Sequence, residues 1–264
     1  MRPQTPRPQI LRPDKATRQT RIVAELRAIP SLRVNALAAR LLVSTETVRR
    51  DLADLDRAGL ISRTYGGAVT ALHEPGVAVR ETLMIAERKL IAEVAVRAIN
   101  PQDILMIGGG ATTLHFARRL AADCNHLTII THAFSIAAAL ATNSTHKVLM
   151  LPGQYDGREG LIHGPDTIDA LQRFHASKAI LGASGLTTEG PNDASFGPGL
   201  IYGAMMRRAA QTIVLADHGK FNLPSLAVYG AWSPLTTLIT DKAPRGALAQ
   251  SLAAAQTAVL LPPA

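Results

Sequence analysis

One cysteine, Cys124, stands in the 264 residues, which excludes an intrachain disulfide and any multi-cysteine zinc site and points to a reducing compartment. No apolar run approaches the roughly 18 residues that a membrane-spanning helix needs. The opening residues carry Arg2, Arg7 and four prolines before position 14, and so lack the apolar segment of an export signal. These absences predict a soluble, cytoplasmic protein. The eight histidines form no ligand-like cluster on one helix, so neither a metal nor a cofactor is expected.

The length suits one small domain joined to one of moderate size. The formal net charge is +8, and it is unevenly placed. Residues 1–70 hold thirteen Lys or Arg against six Asp or Glu, whereas residues 71–264 hold fifteen against fourteen. The N-terminal quarter is therefore the part suited to a polyanion. Residues 1–16 read as a disordered arm, either a solvated tail or one whose arginines touch phosphate or a minor groove.

From Arg18, Ile22, Leu26 and Ile29 share one helical face until Pro30 stops the helix. A short second helix is predicted from Asn35 to Leu41, then a turn. Ser44 follows as an N-cap, opening a third helix that runs to about Arg57, before Gly59. Val48, Leu52 and Leu55 make its buried stripe, leaving Glu46, Arg50 and Ala53 on the other side, flanked by Thr47 and Arg49. Two helices, a tight turn and an exposed cationic helix match the geometry that presents side chains to a major groove about 12 Å wide. A solvated face with Asp51 or Asp54 partnering the arginines is the competing reading. The segment Leu60–Val69, LISRTYGGAV, favours DNA: two short extended stretches around Arg63 and Tyr65 meet a Gly66-Gly67 turn, as in a β-wing.

The run VSTETVRRDLADLDRAGLISRTYGGA resembles the signature of DeoR-family bacterial regulators, with its Ser-x-x-Thr-Val-Arg-Arg-Asp-Leu recognition helix and Arg-x-x-Gly-Gly-Ala wing. The resemblance implies a winged helix-turn-helix over residues 17–70 that binds double-stranded operator DNA through Ser44, Thr45, Glu46, Thr47, Arg49, Arg50, Arg63 and Tyr65. Asp51 is implied to hold an arginine in place. Operators of this kind imply a homo-oligomer, at least a dimer.

Residues 71–79, with His73, Pro75 and Gly76, read as a linker. A helical pattern spans Arg80–Ala98, with Leu83, Ala86, Leu90, Val94 and Ala95 apolar and Glu87, Arg88 and Lys89 polar. Short apolar runs then alternate with Ala-rich helical stretches: 104–107, 127–131, 148–151, 179–181, 213–215 and 237–240. This predicts an α/β domain, a mostly parallel sheet with helices on both faces. Ligands in such sheets bind beyond the carboxyl ends of strands. Three loops fall there: Gly108 to Thr113, Gly182 to Gly185, and Asp217 to Lys220. The first lacks both the Walker A ending and the Gly-x-Gly-x-x-Gly spacing, and no acidic residue follows the next strand to hold a ribose, so nucleotides are disfavoured. One such loop fits a tight turn alone; three together favour an anion site.

The resemblance continues to the C-terminus. MIGGGATTLHFARRL is similar to the phosphate loop of DeoR-type sensor domains, LPGQY to a shortened Gly-Gly segment, GASGL to the second ligand loop, and LADHGKF to an Asp-x-x-Lys-Phe segment. It implies a domain over residues 80–264 similar to ribose-5-phosphate isomerases that senses a phosphorylated sugar or related metabolite. Effector contacts are implied at Gly109, Gly110, Thr112, Thr113, Ser184, Gly185, Asp217 and Lys220. The chain also departs from the pattern. Gly108 and Gly109 stand where Asp and Ser are common, Thr131-His132-Ala133 replaces Thr-Asn-Ser, and Tyr202-Gly203 precedes Ala204-Met205 where a basic pair is common.

Two other classes compete. A sugar-phosphate isomerase needs a base within about 2.6–3.2 Å of its substrate. Where the similar isomerases carry an acidic loop this chain has Gly182 to Leu186, leaving Glu189, Asp193 and Asp217 as acids. A DNA-binding protein with a ligand-blind oligomerisation domain would leave the three loops empty. The sensor reading implies a regulator of carbohydrate catabolism, commonly a repressor released by its effector, and no enzyme.

Overall fold

A computed structural model of the chain describes residues 14–29, 31–57, 60–64, 66–70 and 75–263. Its contacts divide it into two compact units meeting at Pro75 and Gly76.

In the first unit α1 (Lys15–Ala28) begins two residues inside the segment expected as an arm, because the Asp14 carboxylate accepts the Thr17 N–H at 2.9 Å and caps the helix. Ile29 leaves the helix with extended dihedrals (φ −130°, ψ 99°), as the residue before a proline must. There follow β1 (Ser31–Arg33), α2 (Val34–Leu41), α3 (Thr45–Arg57), β2 (Ile61–Thr64) and β3 (Gly67–Thr70). Gly59, Pro30 and most of the arm lie outside the described residues. The two wing strands are joined by an unexpected third, giving an antiparallel order β1-β3-β2. Gly67 is what lets β1 approach: a Cβ there would lie 2.4 Å from the Leu32 carbonyl oxygen. Ile22, Leu26, Leu37, Leu41, Val48, Leu52 and Leu55 close the core, each fully buried side chain contributing about 1.5–3 kcal/mol.

The second unit opens with α4 (Val77–Arg80) and α5 (Ile85–Val96). The second half of the expected linker is thus a helical turn of this unit, with the Val77 N–H on the Arg158 carbonyl at 3.3 Å. Met84, with φ 51°, separates the two helices. Then come β4 (Ile104–Ile107), α6 (Ala111–Asp123), β5 (Thr128–Thr131), α7 (Phe134–Leu140), β6 (Lys147–Met150), the hairpin β7 (Gln154–Asp156) and β8 (Leu161–His163), and α8 (Pro165–Leu171). The chain continues through β9 (Ala176–Gly182), β10 (Gly185–Leu186), β11 (Pro191–Asp193), α9 (Phe196–Arg208), β12 (Ala209–Leu215), β13 (Ala227–Val228), β14 (Thr236–Ile239), α10 (Gly246–Ala254) and β15 (Ala258–Leu260).

Seven strands form one parallel sheet in the order β15-β14-β12-β9-β4-β5-β6. The chain moves from β4 through β5 to β6, then returns to the other flank at β9, so the order reverses between β4 and β9. A crevice opens at such a reversal. Leu105, Ile107, Ile129 and Ile180 pack with α5, α6 and α7, whereas the alternate residues Met106, Ile130 and Leu181 pack with α9. Both faces are covered, as the apolar strands require.

Candidate DNA-binding and effector sites

In the first unit the recognition helix is built from its N-cap. Ser44 Oγ accepts the Thr47 N–H at 3.1 Å and bonds the Thr47 hydroxyl at 2.8 Å, so Ser44 and Thr47 fix the first turn of α3. Thr45 is half-buried beside them. Glu46 and Arg50 form an exposed ion pair at 3.1 Å, which is worth at most about 1 kcal/mol in water. Arg49 is exposed, and Asp51 and Asp54 are turned to other partners. The Asp51 carboxylate, 2 % exposed, accepts two hydrogen bonds from Arg18 of α1, one at 3.0 Å. The arginine it holds is thus Arg18, and the pair pins α3 to α1. Asp54 pairs with Lys15 at 2.7 Å and Arg57 at 3.3 Å. The pairing expected of a solvated face, Asp51 or Asp54 with Arg49 or Arg50, is not the one these two acids make. Arg63 is exposed on β2, and its N–H donates to Asp56 at 2.9 Å, tying the wing to the end of α3. Tyr65 lies outside the described residues.

In the second unit the three loops leave the carboxyl ends of β4, β9 and β12, neighbours in the sheet. Gly110, at φ +128°, turns the chain into α6. Leu114 is the first residue to donate back, to the Gly110 carbonyl at 3.0 Å, so the first-turn N–H groups of a 13-residue helix face the crevice mouth. Thr112 and Thr113 are buried there, and the Thr113 hydroxyl donates to the Gly110 carbonyl at 3.0 Å. A Cβ on Gly182 would lie 3.7 Å from the Gly109 oxygen and 3.8 Å from Thr113 Cγ2, which brings the β4 and β9 loops side by side. Ser184 is half-buried, its N–H on the Asn192 carbonyl at 2.9 Å. Lys220 sits half-buried in the helical turn His218–Lys220 after β12.

Three expected contacts look different in place. The Gly109 N–H donates to His132 Nε2 at 3.2 Å and its carbonyl accepts from Tyr202 Oη at 2.8 Å, so both backbone polar groups of this residue are engaged. Gly185 is buried, and a Cβ there would lie 1.9 Å from the Leu223 oxygen; packing alone demands this glycine. Asp217 is 2 % exposed. Its Oδ1 accepts the Gly219 N–H at 3.0 Å, while Oδ2 has no hydrogen-bond partner and faces the buried Arg88 guanidinium at 3.6 Å.

Four buried residues support the loops from beneath: Arg88 and Tyr229, which the sequence did not mark as part of the site, and His132 and Tyr202, which it marked only as departures from the family pattern. Arg88 Nη1 donates to the carbonyls of Arg80 and Leu83, the latter at 2.7 Å, so it joins Asp217 to the segment that opens this unit. A signal existed, because Arg88, Ile91, Ala92 and Ala95 share one face at i, i+3, i+4 and i+7 and all are buried, while Leu90 points outward. His132 is fully buried. Its Nδ1 lies 2.7 Å from the Ile162 carbonyl, which can only accept, so the proton is on Nδ1 and Nε2 is bare for Gly109. Burial pushes its pKa down to about 4, which keeps this neutral tautomer. Among the described residues no group of three or more His, Cys, Asp or Glu side chains is arranged to hold a metal ion, and no helix is long and apolar enough to cross a membrane.

Comparison with known proteins agrees with both halves. A DeoR-like helix-turn-helix domain is matched over residues 18–74 and a DeoR C-terminal sensor domain over residues 84–242. The transcriptional repressor AccR of Agrobacterium fabrum is 31 % identical over 239 residues, 86 % of this chain and 90 % of that one. The glycerol-3-phosphate regulon repressor of Escherichia coli is 28 % identical over 218 residues, 80 % and 84 % of the two chains. Ribose 5-phosphate isomerase A from Neisseria gonorrhoeae superposes with a TM-score of 0.39 at 16 % identity, over 51 % of this chain and 52 % of that one, a likeness too remote to bear on function. With a helix-turn-helix and wing in one unit and a doubly covered parallel sheet in the other, each matched by its own family model, the chain belongs to the DeoR family of helix-turn-helix transcriptional regulators.

Proposed function

We propose that this regulator represses carbohydrate-catabolism genes by docking α3 and the wing on operator DNA, and that a phosphorylated sugar or polyol at the carboxyl edge of β4, β9 and β12 modulates that grip. The observation that carries the effector half is the meeting of three adjacent strand ends with the first turn of α6 and with Lys220. Backbone N–H groups at a helix start and an ammonium group are what a phosphate ester requires. The name of the glycerol-3-phosphate regulon repressor, one of the relatives, is consistent with such a ligand.

Catalysis is not part of this reading. The β9 loop, Gly182 to Leu186, carries no carboxylate. Asp217 is buried against Arg88, Asp193 caps the Ser195 N–H at 2.8 Å, and Glu189 is exposed, so none is set up as a base. In the regulatory cycle, the effector draws the three loops together, and Arg88 passes the change from Asp217 to the carbonyls of Arg80 and Leu83. Arg80 is in turn paired with Glu159 at 2.6 Å. A ligand acts this way only through unequal affinity for two states. The protein works in the cytoplasm as a homo-oligomer, a dimer or larger, on a repeated operator.

Thermal-shift titration of the full chain with sugar and polyol phosphates tests the effector half. Stabilisation without turnover is expected; turnover would establish an enzyme, and silence a ligand-blind scaffold. Lys220→Ala is expected to blunt the ligand response and leave operator affinity in place.

A further inference from the structure

Three departures from the family pattern, at positions 108–109, 132 and 202, are far apart in sequence and meet in space. A Cβ on Gly108 would lie 2.7 Å from Tyr202 Cε1 and 3.1 Å from Leu181 Cδ2. A Cβ on Gly109 would lie 3.2 Å from both Ala133 Cβ and Leu161 Cδ2. His132 holds the Gly109 N–H and Tyr202 its carbonyl, and their rings meet edge to face with centroids 5.7 Å apart. Tyr202 also meets Tyr229 edge to face at 5.3 Å, and the Tyr229 hydroxyl donates to the Gly182 carbonyl at 2.5 Å. The rings thus brace both lips of the crevice where the strand order reverses. Tyr202 and Tyr229 are 3 % and 7 % exposed, so they lie beneath the loops and not against a ligand.

We propose that Gly108, Gly109, His132 and Tyr202 are one co-dependent specificity set. The Tyr202 ring takes the space a side chain at 108 would fill, and His132 takes the Gly109 N–H. The β4 loop accordingly offers an effector no carboxylate or hydroxyl from positions 108 and 109. Its remaining donors are the N–H groups at the start of α6 and the Thr112 hydroxyl, all suited to phosphate oxygens. This rests on the effector reading given above and narrows it: on the β4 side the ligand is recognised through its phosphate alone, and hydroxyl groups there go unread. A carboxylate at 108 would supply charge-assisted hydrogen bonds to such hydroxyls, but there is no room for one while Tyr202 stays.

A stability cycle on the full chain tests the co-dependence. Gly108→Ala is expected to lower Tm by about 2–10 °C in the native background, as overpacking does, and by no more than about 2 °C once Tyr202→Leu has opened the space. Equal losses in the two backgrounds overturn the set. Should Tyr202→Leu not fold, Tyr202→Phe keeps the ring, so the Gly108→Ala loss must persist in it; tolerance there overturns the steric assignment.

Specificity is read by titrating inorganic phosphate, glycerol 3-phosphate and glucose 6-phosphate against the native chain and the Gly108→Asp, Tyr202→Leu double variant. In the variant, affinity for the hydroxyl-rich ester relative to inorganic phosphate is expected to rise at least about 10-fold, the scale of a hydrogen bond to a charged group. An unchanged ratio contradicts the specificity role. If none of the three binds the native chain, or if binding is indifferent to Lys220→Ala, the effector reading itself falls and the specificity role falls with it. The stability cycle then still decides whether Gly108 and Tyr202 depend on one another.

Discussion

Helices α3 and α5 are similar in length, 13 and 12 residues, and each carries arginine amid its charged residues, yet they use it oppositely. In α3, Arg49 and Arg50 stand in solvent with nothing stronger than the Glu46 pair. Their guanidinium groups stay available to a guanine edge or a phosphate. In α5, Arg88 is turned inward against Asp217 and two carbonyl groups. Its charge is spent on connecting parts of one domain. Helical arginine is thus left in solvent in one unit, and in the other is a buried strut.

The largest effect expected from that contrast is on stability. Arg88→Met should destabilise the second unit by about 3–5 kcal/mol, because it strands the Asp217 carboxylate in the interior; denaturant titration reads it, and Arg88→Lys should recover part of the loss. Next comes His132. Its folded pKa of about 4 lies below the ordinary histidine value near 6.5. The unfolded chain therefore takes up a proton first, and stability that is full above pH 6.5 is lost as pH falls towards 4, by up to about 3 kcal/mol. His132→Gln, which keeps a donor and an acceptor, should flatten that part of the curve; parallel curves for the two proteins would contradict the assignment. Arg50→Ala should weaken operator binding about 5- to 150-fold if it reads a base, with lost discrimination at one operator position, measurable by fluorescence anisotropy on operator variants. A uniform loss would mark a phosphate contact. Smallest is Glu46→Ala, whose exposed pair should change stability by less than about 1 kcal/mol.

The first unit was legible because its helices are amphipathic at a period of 3.6, so Val48, Leu52 and Leu55 announce the buried side of α3. The strand ends of the second unit were legible as well, since β4, β9 and β12 are short apolar runs ending in glycine or aspartate loops. What stayed hidden depends on contacts distant in sequence. No pattern near Asp217 shows that Arg88, 129 positions earlier, will face it. Neither does Gly109 reveal that His132 will take its N–H, a bond made only once β5 lies beside β4. The edge elements, β1, the β7–β8 hairpin and β15, are three residues long, too short for periodicity to mark.

The direct test of the DNA-binding claim is selection of fragmented DNA from the protein's own genome by the purified full-length chain, beside an Arg49→Ala, Arg50→Ala variant, near 0.1 M salt. The native chain should enrich a small set of related sites over random duplex and the variant should lose that preference. Equal retention of genomic and random DNA by the native chain, with and without sugar phosphates, would contradict the account.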